Sequence, residues 1–156
     1  MLRFKEINIE RDYELCLKMQ KDVLLCSFGS LAGYEKQLAA YKKRLLIRQR
    51  HPDFYQYHIW FKGKIIGQLD FSTCYEPETG YVRLLYLLPQ YRGTGLADKV
   101  DAFIRSKMLE QGCMRVLLTV SRSNKRALRF YSKHGWRCVR KNERIVRTDL
   151  WALELS

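Results

Sequence analysis

With 156 residues, 47% of them hydrophobic and 29% charged, the chain has enough apolar surface for one compact domain over residues 1–156 and none of the polar bias of a disordered protein. No run approaches the eighteen or so continuous apolar residues of a membrane span, and Met1-Leu2-Arg3-Phe4-Lys5-Glu6 lacks the apolar centre of a secretory signal, so a cytoplasmic protein is expected. The formal net charge of +13 is uneven, about +3 over residues 1–79 and +10 over residues 80–156, which favours a phosphate-bearing or acidic partner for the second half.

In chain order, Leu2 to Ile7 alternates apolar and charged residues as a first strand. Asp12 opens a helix whose stripe is Tyr13, Cys16, Met19 or Gln20, Val23 and Leu24, fading at Ser27 and Gly29. The two-glycine segment Cys26 to Gly33 reads as a mobile loop. A second helix is expected from about Ala32 to Arg50, with Tyr34, Leu38, Tyr41 and Leu45 on one face, ended by His51-Pro52. Phe54 to Phe61 and Ile65 to Cys74 form a hairpin about Lys62-Gly63-Lys64. After a turn at Glu76 to Gly80, Tyr81 to Leu88 is a strand rich in Leu and Tyr, central to the sheet.

The next helix buries Leu96, Val100, Phe103, Ile104 and Met108 and ends at Gln111-Gly112. Met114 to Val120 follows as a strand, and the strand, helix, strand order from Tyr81 calls for a right-handed crossover and a parallel pair. Ser123 or Asn124 caps a helix that Gly135 stops. Trp136 to Lys141 and Val146 to Leu155 close the sheet as an antiparallel pair. The expected fold is α/β: a mixed, mostly antiparallel sheet of six or seven strands with helices on both faces.

Five scattered cysteines with no Cys-x-x-Cys pair point to reduced, mostly buried thiols rather than a disulfide framework or a zinc site. His51, His58 and His134 form no metal or triad pattern in sequence and are read as structural, so no metal is expected. Two stretches carry chemistry. Leu85-Tyr86-Leu87-Leu88-Pro89-Gln90-Tyr91-Arg92-Gly93-Thr94-Gly95-Leu96-Ala97 runs a strand through a glycine turn into a helix. There the N–H groups and the positive end of the helix dipole suit a phosphate or pyrophosphate. It is neither a Walker loop nor a dinucleotide fingerprint, because Gly-Lys-Ser/Thr and the third glycine are absent. The second is Asn124-Lys125-Arg126-Ala127-Leu128-Arg129-Phe130-Tyr131-Ser132-Lys133-His134-Gly135-Trp136.

The Gln-x-x-Gly-x-Gly run at Gln90 to Gly95, preceded by Leu-Tyr-Leu-x-Pro, resembles the acyl-CoA pyrophosphate motif of the GNAT superfamily of N-acetyltransferases, and the run from Asn124 to Trp136 is similar to its second cofactor motif. The resemblance implies acetyl-CoA as donor, with its pantetheine arm entering a gap between two splayed strands and pairing with backbone at about Leu87, beside Tyr86 and Leu88. It implies that the N–H groups of Arg92, Gly93, Thr94, Gly95, Leu96 and Ala97 take the pyrophosphate. Asn124 would hydrogen-bond the arm, and Arg129, with Arg92, Arg122, Lys125 and Arg126, would line a basic rim. Tyr131 would give a proton to the departing thiolate, and a strand N–H near Leu87 would serve the oxyanion.

Many relatives carry a glutamate on the strand from Tyr81 to Leu88, and this strand has none. Glu76, Glu78 and Asp70 on the adjacent hairpin are the alternatives as base through a water, Glu78 preferred, and a water chain to backbone carbonyls is another. The resemblance implies that the acceptor is an amine of an unidentified small molecule or peptide. Leu25 to Tyr34, Phe71 to Tyr75 and Asn142 to Thr148 are expected to shape its pocket, with Phe28, Tyr34 and Tyr75 as aromatic walls. The resemblance admits a homodimer without fixing one. Two other readings stand beside direct transfer: a CoA-binding sensor without activity, and a basic nucleic-acid-binding module. The lack of an RNP-type aromatic run or recognition helix weighs against the second.

Overall fold

The computed structural model describes residues 1–141 and 148–155. Its elements are β1 (Leu2–Glu6), α1 (Ile9–Phe28), α2 (Glu35–Ala39), α3 (Tyr41–Gln49), β2 (Phe54–Phe61), β3 (Lys64–Glu76), β4 (Thr79–Leu87), a 3₁₀ turn (Pro89–Tyr91), α4 (Leu96–Glu110), β5 (Arg115–Ser121), α5 (Lys125–Lys133), β6 (Arg137–Lys141) and β7 (Thr148–Glu154). Seven strands form one sheet in the order β1-β2-β3-β4-β5-β7-β6. Among the described residues only β4 and β5 run parallel, and α4 makes the crossover between them.

Local chemistry explains most boundaries. Asn8 starts α1 by accepting from Arg11 N–H (3.0 Å), a cap that the reading from Asp12 placed a turn too late. The β2–β3 hairpin turns on Lys62 (φ 50°) and Gly63 (φ 77°), the two positive angles that a tight two-residue turn between twisted strands requires. The single helix expected from Ala32 to Arg50 is instead two. Ala40 lies in the bridge region (φ −91°, ψ 0°), α2 buries nothing, and the break lets Tyr41 and Leu45 of α3 seat in the core. The first part of the expected mobile loop, Cys26 to Phe28, is helical and belongs to α1, and the Phe28 and Tyr34 rings stack 5.3 Å apart. The thiols are free but not mostly buried: Cys16 and Cys113 are inside, whereas Cys26, Cys74 and Cys138 are exposed. Residues 146–147 of the expected last strand lie outside the described residues.

Side chains alternate across the sheet and so face two helical layers. Leu84 and Tyr86 of β4 pack with Met19 of α1 on one face, beside a cluster of Cys16, Tyr41 and Leu45. On the other face Leu69, Leu87, Val116 and Leu118 pack with Val100, Ile104 and Met108 of α4, and with Ala127, Leu128 and Tyr131 of α5 at the margin. No helix among the described residues is long and apolar enough to cross a membrane.

Gly67 is fixed by space and Gly93 by backbone angle. A Cβ on Gly67 would lie 2.1 Å from the Tyr86 carbonyl oxygen and 2.9 Å from Leu87 Cδ2, whereas one on Gly93 (φ 72°) would meet nothing within 4 Å. Gly67→Ala should therefore cost on the order of 1–3 kcal/mol by overpacking, and Gly93→Ala about 1 kcal/mol from the left-handed backbone. Urea unfolding of both variants checks this. Equal stability of Gly67→Ala and the parent would contradict the close approach of β3 to β4.

Candidate functional site

The parallel pairing of β4 with β5 lasts three residues, Thr79 with Arg115, Gly80 with Val116 and Tyr81 with Leu117, and then stops. Arg83 is an extra residue in β4, since Asp70 faces Leu84 while Phe71 faces Val82, and such a bulge bends its strand. β5 continues to Ser121 with its other edge paired to β7. Leu88 N–H donates to the Ile66 carbonyl (2.8 Å). Antiparallel alternation then turns the N–H and C=O groups of Leu85 and Leu87 away from β3, into the opening. The result is a slot edged by strand backbone that has lost its neighbour.

At the end of β4 the chain makes the 3₁₀ turn and reaches Gly93 and Gly95, both with positive φ (72° and 87°), before α4 begins without a side-chain cap. Among the described residues, the N–H groups of Gly93, Thr94, Gly95, Leu96 and Ala97 donate to no other group. The Arg92 N–H is already given to the Pro89 carbonyl (3.2 Å), so five of the six expected amides are left without a partner among the described residues. The side chain of Arg92 turns inward instead. Its Nε donates to the Leu87 carbonyl (2.8 Å) and its guanidinium pairs with Asp22 of α1 (2.9 Å).

Asp22 also accepts from the Tyr86 hydroxyl. Burial pushes this carboxyl up, but the bonds from Tyr86 and Arg92 outweigh it and hold it below the usual range. On the other lip of the slot, the hydroxyls of Ser121 and Ser123 donate to the Ser27 carbonyl (2.7 and 2.8 Å). The last turns of α1 thus tie down the ends of both parted strands. Sequence spacing gave no sign of Asp22 or Ser27, which lie more than sixty residues from their partners.

The second motif folds as expected into α5. Asn124 Oδ1 accepts from Ala127 N–H (3.2 Å), leaving its amide nitrogen to donate elsewhere. Arg129 is exposed, and Arg122 pairs with Asp149 (2.8 Å), so the basic surplus is partly spent inside the fold. Tyr131 packs against the core cluster that holds Leu87, with its ring edge-on to Phe130 and Trp136 at 5.4 and 5.5 Å. Burial, with Asp101 nearby, raises its phenol well above the usual value, so the hydroxyl keeps its proton at neutral pH. It makes no hydrogen bond among the described residues.

Glu78 is not brought to this place. It is exposed in the β3–β4 turn, at a positive φ of 57°, and its carbonyl accepts from Met114 and Arg115 N–H. The eight strand steps from Thr79 to Leu87 put it roughly 25 Å from the far end of the slot. Asp70 is much closer, opposite Leu84 and three residues from Leu87 in register.

Asp70 lines a cavity of about 440 Å³ between β3, β4, α1 and α3, with Gln20, Arg44, Arg48, Tyr81 and Arg83 among its walls. It is 3% exposed, its Oδ2 accepts from Arg48 (3.3 Å), and its buried Oδ1 has no partner. Burial lifts its carboxyl to about 6, against the pull of Arg48 and Arg83. Between about 3.8 and 6 the folded chain keeps a proton that the unfolded chain releases. The cost of this ionised group therefore grows as pH rises through that window and reaches about 3 kcal/mol above it.

Of the expected aromatic walls, Tyr75 lines the cavity, while Phe28 and Tyr34 stack on each other. Residues 142–147 of the segment Asn142 to Thr148 lie outside the described residues. His58 is buried, and burial lowers its pKa. His134 bonds Asp98 (2.8 Å). His51, Asp53 and Cys74 bring ligand-type atoms within 4.8 Å of one another at a rim of the β2–β3 hairpin, a juxtaposition that sequence spacing did not show. There the His51 Nδ1 already accepts from Asp53 N–H.

The chain is similar to known acetyltransferases. The N-alpha-acetyltransferase MAK3 of Arabidopsis thaliana is 34% identical over 77 residues, 48% of this chain and 40% of that protein. The thialysine N-epsilon-acetyltransferase of Bos taurus is 32% identical over 69 residues, 38% and 41% of the two chains. The chain thus spans about two-fifths of the length of these curated relatives. Among solved structures, a GNAT-family acetyltransferase from Staphylococcus aureus superposes with a TM-score of 0.81 over 100% of both chains at 13% identity. The PaiA N-acetyltransferase of Thermoplasma acidophilum, in complex with coenzyme A, does so with a TM-score of 0.77 over 99% of both at 15%. These likenesses fix the fold. The profile of the Acetyltransferase (GNAT) family runs from residue 19 in α1 to Trp136, about three-quarters of the sequence, and the chain belongs to that family.

Proposed function

We propose that this chain moves an acetyl group from acetyl-CoA directly to a primary amine of a small molecule or peptide. The observation that carries the reading is two sets of backbone N–H groups without partners among the described residues. One lies at Leu85 and Leu87 in the slot, the other is the five free amides from Gly93 to Ala97. An amide-bearing arm would pair with the strand as a missing neighbour does, and a pyrophosphate would sit on the amides at the N-terminus of α4. Nothing lies within 4 Å of either glycine on the side a Cβ would occupy, which leaves the cradle open.

Acetyl-CoA supplies an activated acyl thioester, and the chain positions it and moves protons. Leu88 flanks the end of the strand, Asn124 offers its amide nitrogen, and Arg129 gives an exposed cation on α5 for a further phosphate. The Leu87 N–H is a donor for negative charge developing on a carbonyl oxygen in the slot. Tyr131, kept protonated by burial, serves as acid to the leaving thiolate. The relatives' names, one an N-alpha and one an N-epsilon acetyltransferase, support an amine acceptor.

Acetyl-CoA at a hundredfold excess over its Kd should stabilise the fold by about 2.7 kcal/mol, a melting shift of roughly 5–10 °C for a chain of this size, with none from ATP or NAD. Tyr131→Phe should lower kcat about a hundredfold or more while leaving acetyl-CoA affinity within about twofold. Unchanged turnover would remove Tyr131 from the acid role. A thermal shift without product from any amine would favour the sensor reading.

A further inference from the structure

The cavity beside Asp70 adjoins the slot but is not part of the cofactor cradle. Its walls come from four elements. Gln20 belongs to α1, Tyr41, Arg44 and Arg48 to α3, Asp70 and Tyr75 to β3, and the rest to β4. Its charged side chains are three guanidinium groups and one carboxylate, a net charge of about +2 when Asp70 is ionised. The guanidinium groups are only partly committed. Arg44 donates to the Gln37 carbonyl (2.9 Å), Arg48 to Asp70, and Arg83 to Ser72 Oγ (3.0 Å). Each has five N–H donors in a planar fork.

Such a wall repels a molecule that is cationic throughout, such as a diamine, and attracts one with a carboxylate. The unpartnered Oδ1 of Asp70, in a residue 97% buried, is an acceptor that the fold itself leaves unsatisfied. A buried acceptor without a partner is costly, and an ammonium group would satisfy it. The volume of about 440 Å³, room for about fifteen waters at roughly 30 Å³ each, admits a molecule the size of an amino acid.

We propose that this cavity is the acceptor pocket and that it selects a small amine also bearing a carboxylate, held by Arg44, Arg48 and Arg83, with Asp70 receiving the proton of its ammonium group. The inference rests on the transferase reading above. The ammonium gives one proton to Asp70 and becomes a free amine. Its nitrogen lone pair forms the bond to the acyl carbon as the carbon–sulfur bond breaks. The amine's second proton is lost to water, the thiolate takes one proton from Tyr131, and solvent restores Tyr131 and clears Asp70. Burial, opposed by Arg48 on α3 and Arg83 on β4, sets Asp70's proton affinity; Arg44 and Tyr41 on α3, Tyr81 on β4 and Tyr75 on its own strand also face the cavity. α1 offers only the neutral Gln20. At about 6 the carboxyl is ionised at neutral pH yet basic enough to take a proton.

The test is acetyl transfer by the whole chain, read as product mass and CoA release, over ω-amino carboxylates, alkylamines and diamines of matched length and one peptide with a free N-terminal amine. Amino carboxylates should exceed the matched alkylamines at least tenfold in kcat/KM. Arg44→Gln and Arg83→Gln should each raise KM for the amino carboxylate about tenfold and reduce its advantage in kcat/KM over the matched alkylamine. Asp70→Asn should lower kcat about a hundredfold and abolish the steepening of the rate profile below about pH 6, while its melting temperature at pH 8 stays equal or rises and the acetyl-CoA shift persists. Preference for diamines or for the peptide, or equal use of alkylamines, would overturn the pocket assignment and leave the transferase standing. Acetyl-CoA binding with no product from the amino carboxylates would also overturn it. Failure of acetyl-CoA to bind at all would defeat both readings.

Discussion

The organisation of this protein follows from a place where hydrogen bonding stops. A strand that leaves its neighbour exposes a row of N–H and C=O groups, and in a buried setting each must find a partner or cost the fold free energy. Here β4 and β5 separate after Tyr81, and the bulge at Arg83 drives them apart. One of the released groups is satisfied from within, as Arg92 reaches back to the Leu87 carbonyl. The inner N–H groups remain for a ligand that can replace the lost strand.

That constraint explains why the far lip is braced. Arg92, Asp22 and Tyr86 form a charge-assisted cluster between α1 and β4, stronger than neutral hydrogen bonds of the same geometry. Ser121, Ser123 and Ser27 do the same between α1 and β5 with neutral groups. Together they set the width of the slot at the end where the glycine turn begins. The opposite end is set by the three remaining parallel pairs and by Gly80, whose missing Cβ leaves room for Met108, a sulfur that would otherwise lie 2.3 Å away.

The glycine turn and the capped helix of the candidate site were legible in the sequence because local backbone geometry leaves marks in residue type. Gly93 and Gly95 sit at positive φ, Pro89 ends β4, and Asn124 caps α5, each a choice that few other residues satisfy. The cavity proposed for the acceptor left no such mark. Gln20, Arg48, Asp70 and Arg83 belong to four elements and meet only in three dimensions. The available hint was Asp70 itself, a charged residue inside the apolar run from Ile65 to Phe71, which outweighs the nearness of Glu78 to a turn. The break at Ala40 was hidden for another reason. No glycine or proline marks it, and the burial of Tyr41 and Leu45 decides it.

Amide hydrogen exchange with and without acetyl-CoA addresses the unpaired backbone directly. The account predicts new protection at Leu85 and Leu87 and across Gly93 to Ala97, with little change in β1, β2 and β6. Exchange at those amides that is already slow without ligand, or protection that appears elsewhere and leaves them unchanged, would contradict it.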